Sequence, residues 1–231
     1  MRADFVFVHG FTQTGSSWSP VIEAIEHDTG AERLSVTPNV AHDRTFTETA
    51  DALGIATASY AGYSMGGRLC LHLALDRPDV VERLVLVSAS PGIADTTDRA
   101  ARVETDERLA QSIERDGVDA FLERWLAQPL FATLPPDRAG IDARRAGNTI
   151  ETLTHQLRVL GQGAQPSNWD RLDQLAMPTL LVVGELDTKY VDIAHRMAAV
   201  IPDARVEVIA GAGHACHLER PETVAQLVAS W

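Results

Sequence analysis

Six short runs of apolar, often β-branched residues recur along the chain, with stretches of helical apolar spacing between them. The runs are Phe5–Val8 (FVFV), Leu34–Thr37 (LSVT), Ala58–Gly62 (ASYAG), Leu84–Ser88 (LVLVS), Thr179–Gly184 (TLLVVG) and Arg205–Ile209 (RVEVI). Most are continuously apolar rather than alternating. Strands of that kind are buried on both faces, as in a parallel sheet covered by helices. Alternation of strand and helix therefore predicts an α/β fold with a doubly wound, mostly parallel sheet. A length of 231 residues suits a single core of this type.

The alternation fails once. Between Ser88 and Pro178 no strand signal appears, and apolar residues fall at helical spacing in DERLAQSIERDGVDAFLERWL and NTIETLTHQLRVL. The span is too long for an ordinary crossover. The chain is accordingly divided into a sheet core at 1–90, a helical lid at 91–177 and the rest of the core at 178–231.

Composition narrows the function. A formal charge of −12 offers no basic footprint for nucleic acid or an anionic membrane. No apolar run reaches the roughly 18 residues of a membrane span, and the opening MRADFVFVHGF is too short in apolar residues for a secretory signal. A cytoplasmic location is expected. Cys70 and Cys216 form no disulfide or metal framework. Of 20 basic residues only Lys189 is lysine, so arginines must be judged by position.

Ligands of open parallel sheets bind at the carboxyl ends of the strands. Those ends carry His9-Gly10-Phe11, then Ser64 inside Gly62-Tyr63-Ser64-Met65-Gly66, then Glu185-Leu186-Asp187, then His214. A G-x-S-x-G pattern alone arises by chance in roughly one chain in ten of this length. Here it sits between a strand and a helix, and an acid and a histidine follow at later strand ends in the order Ser, Asp, His. Ser64 is the expected nucleophile or base, His214 its proton acceptor, and Asp187 the group that orients the imidazole. Glu185 and Asp192 are rival acids, and His217 is a rival histidine. Backbone N–H groups of Phe11 and Met65 are candidates for an oxyanion hole. His9 is expected to shape its loop rather than react. Arg68 shares a helix face with Ser64 four residues earlier, next to a helix N-terminus that already favours anions, which points to a carboxylate substrate.

With these residues in place, the chain resembles the α/β-hydrolase fold family. More narrowly it resembles the 2-succinyl-6-hydroxy-2,4-cyclohexadiene-1-carboxylate synthases, lyases of menaquinone biosynthesis. The resemblance spans nearly the whole chain and rests on VHGF (8–11), GYSMGGR (62–68), ERLVLVSASPGI (82–93) and RVETDERLA (102–110). It continues through FLERWLAQPLFATL (121–134), ARRAGN (143–148), GELDTKY (184–190) and AGHACHLERPE (212–222). The arginine after GYSMGG and the ERW…QPLF segment are more selective than the serine and histidine motifs. The resemblance implies a substrate with three carboxylates and elimination of pyruvate, with Ser64 acting as a base. It also implies that Arg68, Arg102 and Arg145 clamp carboxylates, with Arg144 adjoining as an alternative to Arg145. Tyr63 and Trp125 are implied as pocket walls, with no metal or organic cofactor.

The chain departs from the pattern in three places. It opens almost directly on FVFVHGF where relatives begin with two further strands, so the first strands are expected to be missing. A turn usually of the form P-G-H-G-x-S reads TPNVAHD (37–43), and the helix around FTETADAL is short. The alternatives are a cytosolic serine esterase, lactonase or carbon–carbon bond hydrolase, and a non-catalytic ligand binder. Three converging cations favour the lyase, and an intact Ser, Asp and His set counts against a pure binder.

Overall fold

The computed structural model describes residues 2–29, 35–37, 40 and 44–231. Its elements run β1 (Arg2–Val8), α1 (Ser19–Thr29), β2 (Ser35–Val36), α2 (Phe46–Ala52), β3 (Thr57–Tyr63), α3 (Met65–Asp76) and β4 (Val81–Val87). Three further helices follow, α4 (Thr96–Leu126), α5 (Ile141–Gly147) and α6 (Ile150–Leu160). The chain then returns to the sheet with β5 (Thr179–Gly184), α7 (Thr188–Ala198), β6 (Ala204–Ile209), α8 (Cys216–Glu219) and α9 (Pro221–Ser230). The strands form one sheet in the order β2-β1-β3-β4-β5-β6, and every pairing is parallel.

Each of the six apolar runs overlaps a strand. Leu34, from the second run, is outside the described residues, as are positions 38, 39 and 41–43 of the TPNVAHD turn. Side chains along a strand alternate between faces, and here the two faces feed two separate cores. Val6, Val8, Leu84, Leu86, Leu181 and Val183 pack with α3 and α7. Phe5, Phe7, Val85, Val87, Leu180 and Val182 pack instead with Val21 and Ile25 of α1 and Val224 and Val228 of α9. Sequence order reverses beside β1, since β2 lies on one side of it and β3 on the other. That is the doubly wound topology, and ligands gather beyond the strand ends near such a reversal.

Helix α3 is buried along its length from Met65 to Leu75, which explains its nearly unbroken apolar composition after Arg68. Its start is close to β1 and β3. A Cβ on Gly66 would stand 2.2 Å from the Val8 carbonyl oxygen, and one on Gly62 would stand 2.6 Å from the Gly66 backbone. The glycines around Ser64 are therefore required by backbone contact. Gly66→Ala is expected to lower folding stability by about 2 kcal/mol, the cost of forcing an extra methyl into a filled core. The midpoint of urea unfolding reads this directly. An unchanged midpoint would mean that β1 and α3 can separate freely.

Among the described residues no strand occurs between Val87 and Thr179. Helix α4 kinks at Gly117, whose φ of 81° and ψ of 172° lie outside the helical region. Without the kink, Arg102 and Trp125 would stand about 35 Å apart on one straight rod. With it, both line the same cavity. Apolar spacing runs through Asp116-Gly117 as one continuous helix, so the change of direction at Gly117 shows only in the fold.

Candidate active site

Ser64 occupies the turn between β3 and α3 with φ 50° and ψ −107°, a positive-φ conformation that serine rarely adopts. The turn lifts its side chain out of an otherwise buried segment, and Ser64 is the one residue of 61–70 that is not fully buried. His214 lies in the loop after β6, and Asp187 immediately precedes α7. The Ser64 hydroxyl stands 3.2 Å from His214 Nε2, and His214 Nδ1 stands 2.6 Å from Asp187 Oδ2. With Nδ1–H donating to the carboxylate, Nε2 is free to accept from the hydroxyl. Three strand ends thus assemble a relay able to draw the proton from the serine oxygen.

The rivals have other roles. Glu185 is exposed and accepts a hydrogen bond from the Gly211 backbone N–H at 2.8 Å. Asp192 is exposed on α7. His217 is buried, with its ring 4.1 Å from the Tyr63 ring and 4.9 Å from the Trp18 indole. Burial holds its pKa well below the usual histidine value, so it is a neutral packing element. His9 is buried too, its pKa lowered by desolvation, with Nδ1 3.0 Å from the Gly10 carbonyl.

A cavity of about 290 Å³ opens above Ser64 and His214. Phe11, Tyr63, Met65, Arg68, Arg102 and Trp125 all line it. Met65 follows the serine in the chain, and Phe11 shares its cavity. Met65 opens α3, so its N–H belongs to the first turn, where helical carbonyls are not available as partners. A larger cavity of about 390 Å³ lies elsewhere, beside Arg138 and Arg144. It includes none of Ser64, His214 or Asp187, and Asp137 and Glu222 on its walls offset its two cations. The smaller cavity is the candidate active site.

Arg68 is the most informative of the wall residues. It is buried, and its guanidinium donates to the Leu160 carbonyl at 2.7 Å and to Gln165 Oε1 at 3.1 Å. Both acceptors are neutral. Burial lowers its pKa to about 10, which leaves it charged at neutral pH. Arg102 is partly exposed, and donates from Nε to Asp106 Oδ1 and from Nη1 to Gln162 Oε1, each at 2.7 Å. Burial raises the pKa of Tyr63 and Tyr190, so both phenols stay neutral. Two wall atoms, Trp125 Nε1 and Gln156 Oε1, are buried without a hydrogen-bond partner.

Arg145 is corrected. It lies outside this cavity, with its guanidinium 3.1 Å from Asp119, 3.6 Å from Glu123 and 3.6 Å from Asp142. Neighbouring residues on α5 point about 100° apart, so only one of the two arginines faces inward. That one is Arg144. It donates from Nε to the Ala139 carbonyl at 2.8 Å and from Nη1 to the Thr12 hydroxyl. Asn148 also holds Thr12, donating to its carbonyl at 2.8 Å. Arg144 therefore braces the loop that carries Phe11, and lines the other cavity. The sequence reading also assigned no site role to Lys189, Tyr190, Gln156 or Gln162, all of which line the candidate site. GELDTKY placed the first two beside Asp187, but nothing in the spacing showed where their side chains go.

A serine poised on a strand-to-helix turn above a parallel sheet, relayed through histidine to a carboxylate, defines the α/β class of serine-dependent enzymes. The chain belongs to the alpha/beta hydrolase family, which it matches over residues 5–227. It is 34% identical to a putative 2-succinyl-6-hydroxy-2,4-cyclohexadiene-1-carboxylate synthase of Bacillus subtilis, covering 98% of this chain and 89% of that protein. It is 31% identical to the 2-succinyl-6-hydroxy-2,4-cyclohexadiene-1-carboxylate synthase of Salmonella schwarzengrund, covering 97% of this chain and 91% of that one. The solved structure of MenH from S. aureus superposes with a TM-score of 0.89 at 27% identity, covering 99% of this chain and 92% of that chain.

Proposed function

We propose that the protein is a lyase of menaquinone biosynthesis. Its reaction eliminates pyruvate from 2-succinyl-5-enolpyruvyl-6-hydroxy-3-cyclohexene-1-carboxylate and yields 2-succinyl-6-hydroxy-2,4-cyclohexadiene-1-carboxylate. The observation that carries this reading is Arg68, a buried cation bonded only to neutral acceptors in the cavity above Ser64. A buried charge with no directly bonded counter-charge is costly, and a carboxylate-bearing substrate supplies one.

In this mechanism Ser64 Oγ removes a ring proton while its own hydroxyl proton passes to His214 Nε2. The released electron pair shifts through the ring double bond and breaks the carbon–oxygen bond to the enolpyruvyl group. The leaving group departs as the enolate, takes up a proton and becomes pyruvate. No water is consumed, so one substrate gives two products. Asp187 stabilises the imidazolium that forms. The N–H groups of Phe11 and Met65 face negative charge developing on the substrate carbonyl beside the lost proton. Arg68 and Arg102 bind carboxylates, and Tyr63 and Trp125 fit the ring between them. The helices of 91–177 act as a lid, a role supported by the cavity wall they share with the core.

The test is direct. Purified protein given the enolpyruvyl substrate is expected to release stoichiometric pyruvate, followed by coupling to lactate dehydrogenase. Rapid hydrolysis of simple esters with no release of pyruvate would overturn the proposal in favour of an esterase.

A further inference from the structure

We propose that Lys189 binds substrate and sets specificity, supplying the third cation of the carboxylate clamp in place of the outward-facing Arg145. The inference rests on the lyase reading, whose substrate carries three carboxylates. With Arg145 engaged by Asp119, Glu123 and Asp142, the cavity has two arginines among the described residues, Arg68 and Arg102. Arg102 is already paired with Asp106, which reduces its capacity to neutralise a ligand. Lys189 lines the same cavity as Ser64, His214 and both arginines.

Among the described residues no ion pair accounts for its placement. Lys189 is the second residue of α7, and a cation near a helix N-terminus opposes the helix dipole. The described ion pairs do not include it, and its recorded neighbour is the Tyr190 ring, whose centroid lies 5.8 Å from Nζ. An exposed lysine on a cavity wall, left unpaired and set at the unfavourable end of a helix, is suited to an anion that arrives from solution. The turn that fixes Asp187 also fixes Lys189 two residues later, so the cation stays in register with the relay. Its flexible stem and compact ammonium reach a carboxylate at the entrance, where a rigid guanidinium fork would need a preset geometry. The chain is otherwise wholly arginine in its basic positions, and its single lysine stands here.

Lys189→Gln and Lys189→Arg are the informative variants, because an exposed position leaves folding intact. For Lys189→Gln, kcat/KM for pyruvate release is expected to fall about 10- to 100-fold, mainly through KM, as for loss of a charge-assisted hydrogen bond. That loss is expected to exceed the loss on p-nitrophenyl acetate by at least about tenfold. Lys189→Arg, which keeps the charge, is expected to recover most of the difference. Wild-type release of pyruvate with Lys189→Gln within about twofold of it would overturn the role of Lys189 and leave the lyase standing. Failure of the wild-type protein to release pyruvate would overturn both.

Discussion

Ser64→Ala is expected to lower kcat for pyruvate release on the order of 10⁴-fold while KM changes little. The split follows from the geometry. The serine oxygen is the atom of the relay that faces the cavity, and it carries no charge with which to hold the substrate. Its value lies in the transition state, where the oxygen gains a proton from carbon as its own passes to His214. Removing it leaves the imidazole in place, held 2.6 Å from Asp187, but with a methyl group where the base stood. Single-turnover measurement of pyruvate separates this loss of chemistry from any change in binding. A variant retaining activity within about tenfold of wild type would make His214 the base that meets the substrate, with Ser64 only a spacer.

That dependence on a strained turn explains why so much of the site could be read in the sequence. Ser64 needs φ 50°, and the neighbouring chain needs room for Val8 and Gly66 to touch, so the requirement is written locally as glycines flanking a serine. Asp187 and His214 were legible because strand ends are marked by the end of apolar runs, and parallel sheets bring their ends to one side. The same argument gave Arg68 through helical periodicity. Arg144 and Arg145 were not separable this way. Both lie on a seven-residue helix, and which one faces inward depends on the placement of that helix against Thr12 and against Asp119 of α4. The kink at Gly117 was likewise hidden, since apolar spacing continues on either side of it and only the fold reveals the change of direction. Lys189 was missed as a wall residue for a related reason, because adjacency to a relay residue in sequence does not state where a flexible side chain reaches.

Arg68→Ala is expected to reduce kcat/KM for the enolpyruvyl substrate about 10²- to 10³-fold, the range for removing one partner of a desolvated charge pair. Two effects enter that figure and they can be separated. The guanidinium also joins α3 to the Leu160 carbonyl and to Gln165, so truncation leaves those acceptors unpaired and loosens the helices of 91–177 over the cavity. This structural part falls on every substrate alike. The charge part falls only on substrates that bring a carboxylate. Turnover of p-nitrophenyl acetate, which brings none, measures the first, and the ratio of the two losses isolates the second. A ratio of at least about ten identifies Arg68 as a carboxylate ligand. Arg68→Lys sharpens the comparison, since it restores charge without the two-pronged donor geometry. It should recover part of the binding and little of the connection to Leu160 and Gln165. Equal losses on both substrates would make Arg68 a structural tie between α3 and the segment carrying Leu160 and Gln165, and the buried cation above Ser64 would no longer argue for an anionic substrate.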